Sequence, residues 1–315
     1  MISSLVGYTG FVGSNLANKY SFTYLYNSKN IEEAYGTKPD LLIYAGVRAE
    51  KYLANQNPKQ DFELVKEAFE NIKKIDAKKV VLISTIDIYK SPVDVNEDTK
   101  IDTENLHPYG LNRYYLEQWV EGEFPNSLII RLPGLYGKNI KKNFIYDLIH
   151  IIPNMLNKDK FNELCGKSSL IKDYYSLQDN GFYKCKALSS DEHNILKDYF
   201  KNMGFSALNF TDSRGSFQFY NLENLWDHIS IALDNGLHKL NIATEPVTIH
   251  EIYKNIKNEE FSNEISLTVP FYNYKTKYAG LYHGKNGYIF TKEKILQDIR
   301  RFVEGYIVWD YQFLI

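Results

Sequence analysis

Apolar and polar positions follow two alternating rhythms along this chain, and together they predict strands and helices in repeating order. Ile2 to Val6 is a short apolar run that breaks into Gly7, Gly10 and Gly13 and then becomes helical in pattern through Leu16. Phe22 to Tyr26 is aromatic and β-branched, as a strand requires, and ends in the polar tip Asn27-Ser28-Lys29-Asn30. Pro39 to Gly46 is nearly all apolar and closes in the small pair Ala45-Gly46, the pattern of a buried parallel strand. From Pro58 a helical period carries Phe62, Val65, Phe69 and Ile72 to one face, and Lys79 to Ser84 returns as another buried strand. This order predicts an α/β fold, a Rossmann-type doubly wound parallel sheet with right-handed crossovers.

The second half is less periodic. Residues 157–213 are polar apart from a helical stretch near Asp191 to Met203, and read as an insertion. Gly215 to Leu225 has the pattern of an aromatic strand leading into a helix, and Lys239 to His250 that of a later strand before a helix. Lys292 to Val303 predicts a closing amphipathic helix. The expected organisation is a sheet domain over 1–156 with a returning segment near 214–236, the insertion over 157–213, and a smaller α+β lobe over 237–315.

The three glycines suit a dinucleotide site. Gly7 allows a tight turn, Gly10 admits a pyrophosphate, and Gly13 lets the helix lie close on the strand. The backbone of Thr9, Gly10, Phe11, Val12 and Gly13 would then face the phosphates at a helix N-terminus, where free N–H groups and the dipole favour an anion. The tip after the second strand selects between NAD and NADP. Asn27 accepts NAD, whereas Ser28 and Lys29 suit the extra phosphate of NADP, and the absence of an acid tips the balance slightly to NADP. Ala45 and Gly46 would pass beneath the cofactor.

Composition narrows the partners. The 315 residues carry a formal net charge of −2 with mixed signs throughout, which excludes a field for nucleic acid or an anionic membrane and points to a small molecule. Cys165 and Cys185 lack metal-ligand spacing, so no metal site is expected and the thiols read as inert. No apolar run is long enough to span a bilayer and no leader pattern opens the chain, which implies a cytoplasmic protein. The 26 tyrosines reflect compositional bias.

Three further blocks carry a resemblance. They are Ser84-Thr85-Ile86-Asp87-Ile88-Tyr89, His107-Pro108-Tyr109-Gly110 with Arg113, and Arg131 to Tyr136-Gly137 with the spaced Asn143-Phe144. In this order they resemble the extended short-chain dehydrogenases/reductases, which include nucleotide-sugar epimerases, dehydratases and 4-keto-sugar reductases. The resemblance implies that Tyr109 is the general acid/base, that Thr85 bonds the same substrate oxygen, and that Arg113 stands where the family has Lys. It implies cofactor contacts from Ser84, Tyr109, Arg113 and Pro133, and substrate contacts from Asp87, Tyr136, Asn143 and Arg214. Arginine keeps the charge but cannot pass on a proton.

The expected activity is therefore NAD(P)-dependent epimerisation or reduction of a nucleotide-linked sugar. A cofactor-binding regulator without turnover is the alternative. A dehydratase is disfavoured because Ile86 replaces one of its acids. A homodimer is compatible with the resemblance.

Overall fold

In the computed structural model, residues 1–312 are described, and they divide into two compact units. The first comprises 1–140, 216–247 and 270–298; the second comprises 141–215, 248–269 and the chain from 299. The chain thus leaves the first unit at 140 rather than 156. Residues 270–298, expected in the separate lobe, return to the first unit, and the insertion joins its flanking segments in one body.

The first unit is built on β1 (Ser3–Val6), α1 (Phe11–Lys19), β2 (Tyr24–Tyr26), β3 (Leu41–Tyr44), α2 (Lys51–Gln56), α3 (Pro58–Ile75), β4 (Val80–Thr85), α4 (Pro108–Glu123) and β5 (Leu128–Leu132). It also contains β6 (Gly134–Tyr136), β7 (Phe219–Asn221), α5 (Leu225–Asp234) and β8 (Lys239–Asn241). Six strands form one parallel sheet in the order β8-β5-β4-β3-β1-β2. Successive side chains alternate between its faces: Leu5, Ile43, Val81 and Ile130 meet Leu16 of α1 and Leu225 and Ile229 of α5. Val6, Leu42, Leu82 and Ile129 meet Val65 and Ile72 of α3 and Leu116 and Val120 of α4. The doubly wound expectation therefore holds, with a buried layer on each face.

Register positions the functional edge. Pairing between β3 and β4 runs to Tyr44 opposite Leu82, whereas β4 continues beside β5 to Thr85 opposite Leu132. Thr85 consequently stands beyond the end of β3 at the carboxyl edge of the sheet, where open α/β folds bind ligands.

The second unit has its own core. A three-stranded antiparallel sheet, with Tyr183–Cys185 between Met155–Leu156 and Tyr175–Leu177, packs with the helices Lys158–Lys167 and Ser190–Asn202 around Leu156, Leu164, Ile171, Leu196 and Phe200. Polar outer faces hide this core from a hydropathy reading. Both cysteines are free and partly buried against it.

Candidate functional site

The turn from β1 into α1 is set by two close backbone contacts. Gly7 has φ +91°, and a Cβ there would lie 2.5 Å from the Ala45 carbonyl oxygen; at Gly13 it would lie 2.1 Å from that of Gly7. Both glycines are thus required by the protein's own packing. At Gly10 a Cβ would meet only the Gly7 oxygen at 3.2 Å, so its bare backbone leaves an open, exposed edge. Gly10 is the N-cap of α1 without a side-chain cap, and no acid occupies the first turn. The N–H groups of Phe11, Val12 and Gly13, which have no partner within the helix, suit a pyrophosphate.

At the end of β2, the Asn27 side-chain oxygen accepts from the Lys29 N–H at 2.9 Å, while the Asn27 N–H donates to Asn30 Oδ1 at 2.8 Å. Ser28 and Lys29 are left exposed on this turn. Ala45 is half-buried and Gly46 exposed at the end of β3.

Helix α4 carries Tyr109. His107 caps it by accepting from the Gly110 N–H at Nδ1, and Pro108 occupies the first turn. Gly110 faces the turn after β4, where a Cβ would lie 2.1 Å from the Asp87 carbonyl oxygen. The Tyr-Gly pair therefore has a packing reason: only glycine lets the helix start press against Asp87 and carry Tyr109 beside Thr85. Tyr109, Arg113, Leu116, Glu117 and Val120 then fall on the buried face at helical spacing.

Tyr109 is 6% exposed, and the Thr85 side chain lies beside its hydroxyl. Burial pushes its phenol up to about 12; Arg113 and Thr85 act in the opposite sense, and the charges of Asp87 and Asp61 add to the rise. The Arg113 guanidinium is committed elsewhere. Nη1 donates to Asp61, and Nη2 donates to the Arg48 carbonyl at 2.6 Å. Asn112 completes the cluster by donating to the same Asp61 oxygen at 2.7 Å.

A cleft of about 220 Å³ opens in front of Thr85, lined also by Lys51, Asp87, Pro133, Phe217, Gln218 and Tyr272. Asp87 Oδ1 accepts from Lys51 Nζ at 2.9 Å and from the Tyr272 hydroxyl at 3.0 Å. Tyr272 also stacks with Phe217, ring centroids 5.7 Å apart at 26°. Lys51, Tyr272, Phe217 and Asp61 were missing from the sequence reading. A lysine or an aspartate on a polar helix gives no local signal, and Tyr272 lies 185 residues from its partner.

Several expected contacts are replaced. Ser84, assigned to the cofactor, instead donates to Glu117 at 2.5 Å, where Arg131 completes a buried ion pair at 2.7 Å. Tyr136 is fully buried and donates to Asp298 at 2.8 Å, so it does not face the cleft. In the second unit, Asn143 caps the helix Phe144–His150 by accepting from the Ile145 and Tyr146 N–H groups. Arg214, also there, is engaged by Asp212, Glu264 and the Ser266 carbonyl, which removes it as a free substrate cation. Among the described residues, no cluster of three or more His, Cys, Asp or Glu side chains could hold a metal ion, and no helix is long and apolar enough to cross a membrane.

No protein-family model matches the sequence, and no curated protein matches it. Solved structures do match. A dTDP-4-dehydrorhamnose reductase from Bacillus anthracis, solved with NADP, has a TM-score of 0.62 at 14% identity, covering 96% of this chain and 97% of that one. A UDP-N-acetylglucosamine 4-epimerase from Methanobrevibacter ruminantium has 0.60 at 13%, covering 98% of each chain. The RMD protein of Pseudomonas aeruginosa, complexed with NADPH, has 0.58 at 14%, covering 97% and 99%. The chain has the fold of the extended short-chain dehydrogenases/reductases. The likeness extends over nearly the whole sequence, including the half whose motifs are faint.

Proposed function

We propose that this protein is an NADPH-dependent reductase of a nucleotide-linked keto sugar. The observation that carries this reading is the placement of Tyr109, which is buried beside the cleft-lining Thr85 with the Arg113 guanidinium over its ring. A buried phenol held up to about 12 keeps its proton at neutral pH and is suited to donate it, as reduction of a carbonyl requires. Thr85, which lines the cleft beside Tyr109, would orient the same carbonyl oxygen. Gly10 and the first N–H groups of α1 would hold the pyrophosphate, and exposed Ser28 and Lys29 the extra phosphate of NADP. When bound, the nicotinamide supplies the hydride. Tyr109 gives its proton to the oxygen, and Asp61 and Arg48 keep Arg113 over the tyrosine ring. The neighbours' named substrate and cofactors, dTDP-4-dehydrorhamnose, NADP and NADPH, support the choice of substrate class.

One observation favours a second reading, cofactor binding without turnover: both terminal nitrogens of Arg113 are already bonded within the protein. Loss of nicotinamide absorbance with a dTDP-linked 4-keto-6-deoxyhexose separates the two. The reductase consumes NADPH and loses about 10²-fold or more in turnover as Tyr109→Phe, with cofactor affinity kept. Binding of NADPH without consumption across a panel of nucleotide-linked keto sugars establishes the second reading.

A further inference from the structure

Helix α4 opens with each of its first backbone donors accounted for. Pro108 has no N–H, His107 Nδ1 accepts from the Gly110 N–H at 3.0 Å, and from Leu111 the helix bonds itself. Between them stands the N–H of Tyr109, which at this position has no acceptor within the helix and instead donates to the side-chain oxygen of Asn55 at 2.9 Å. Asn55 is half-buried and lies on α2, 54 residues before its partner. The cap is thus completed by another helix. One turn earlier on α2, Lys51 Nζ donates to Asp87 Oδ1 at 2.9 Å, and the Asp87 N–H in turn donates to the Thr85 hydroxyl at 3.2 Å. Helix α2 therefore grips the turn after β4 through Lys51 and the backbone of Tyr109 through Asn55, and buried Ala54 seats it.

We infer that Asn55 is a positioning residue for Tyr109: its side-chain oxygen fixes the first turn of α4 so that the phenol and the Thr85 hydroxyl address one substrate oxygen. The inference rests on the reductase reading. Thr85 and Tyr109 belong to different elements, β4 and α4, so the chain between them does not set their separation. Two contacts do. Gly110 lets α4 press against the Asp87 carbonyl, which stops the helix on the strand side, and Asn55 holds the adjoining residue from the α2 side. The first is a steric stop and the second a tether. Without the tether the Tyr109 N–H has no protein acceptor, and the helix start is free to shift or fray. A reacting group misplaced by about 1 Å can cost on the order of 10²-fold in rate. Ligand binding has less to lose, because the Gly10 turn and the Phe217 and Tyr272 wall of the cleft lie on other segments. The effect of Asn55 accordingly falls on turnover.

The experiment measures NADPH-dependent reduction of a dTDP-linked 4-keto-6-deoxyhexose by wild type, Asn55→Ala, Asn55→Asp and Asn55→Gln, and by Tyr109→Phe with and without Asn55→Ala. Asn55→Ala should lose roughly 10- to 100-fold in kcat, with KM and NADPH affinity nearly unchanged. Asn55→Asp keeps an acceptor oxygen at the same reach and should recover most of the loss, whereas Asn55→Gln, one methylene longer, should not. In the Tyr109→Phe background Asn55→Ala should cost almost nothing more, because no phenolic proton remains to be placed. A residue that only packs α2 against α4 would lower activity by the same factor in both backgrounds. That outcome, or an unchanged kcat in folded Asn55→Ala, overturns the assignment while leaving the reductase reading intact. NADPH affinity and Tm verify that each variant is folded. If Asn55→Ala is misfolded, the other pair decides: equal kcat in Asn55→Asp and Asn55→Gln overturns the assignment. Failure of wild type to consume NADPH overturns the reductase reading and this inference with it.

Discussion

The Arg113 guanidinium lies 4.2 Å from the centroid of the Tyr109 ring while its Nη1 is bonded to Asp61. The cation thus covers the face of the phenol with its charge already compensated by a buried carboxylate. Asp87 adds a second negative charge near the hydroxyl, itself paired with Lys51. Compensation on both sides leaves burial as the dominant influence on Tyr109. Arg113 then serves as a packing and orienting group in place of a proton carrier.

Asp61→Asn removes the weakest of the influences that raise the phenol, so Tyr109 titrates only slightly lower and burial still dominates. Reduction needs the protonated phenol. The pH–rate profiles of wild type and of Asp61→Asn should therefore both lack a falling alkaline limb in the accessible range. The variant should also lose about 3–5 kcal/mol of stability in denaturant titrations, the usual cost of breaking a buried ion pair. Arg113→Met should show a comparable stability loss and likewise no alkaline limb, because Arg113 acts to lower the phenol.

Gly10→Val and Gly13→Ala should fail differently. Valine at 10 meets little of the protein, so Tm should stay close to wild type while NADPH affinity, followed by fluorescence, is abolished. Alanine at 13 forces a methyl group against the Gly7 carbonyl and should destabilise the fold by on the order of 3 kcal/mol.

Lys29→Glu tests the tip of β2. Lys29 is exposed and makes no ion pair among the described residues. Reversing its charge should weaken NADPH binding by roughly tenfold and leave NADH binding nearly unchanged. Raising the salt concentration should narrow the difference.

His228 sets an acid limit on stability. It is 8% exposed, its Nδ1 is 2.8 Å from the Tyr220 hydroxyl, and burial lowers it to about 4. Its depressed value means that the unfolded chain binds a proton which the folded chain refuses. Stability is therefore fully present above about pH 6.5 and falls progressively toward pH 4, by about 3 kcal/mol in all. Urea titrations across this window should show that slope, and His228→Gln should flatten it.

The elements whose identity depends on neighbours in sequence were legible. Gly7 and Gly13 announce the β1 to α1 turn because the same few residues both demand and supply the close approach. Tyr109 and Arg113 share a helix face by spacing alone. The cleft was less so, since Lys51, Asp87, Phe217 and Tyr272 come from four separate segments and meet only after the sheet is assembled. Tyr136 and Arg214 misled for a related reason. A motif position states where a side chain begins, and the partners that claimed these two, Asp298 and Asp212 with Glu264, carry no mark in the sequence. The small core of the second unit was obscured by short elements with polar outer faces.

The Glu117–Arg131 pair has a consequence for how the molecule assembles. Both side chains are almost wholly enclosed, and either charge sealed in alone would cost several kcal/mol. Partial docking of α4 on the strands is therefore penalised, and the helix is expected to seat in a single step in which carboxylate, guanidinium and the Ser84 hydroxyl engage together. Since Tyr109 rides on the same helix, two turns earlier, the proton donor arrives only when the floor beneath it is already closed.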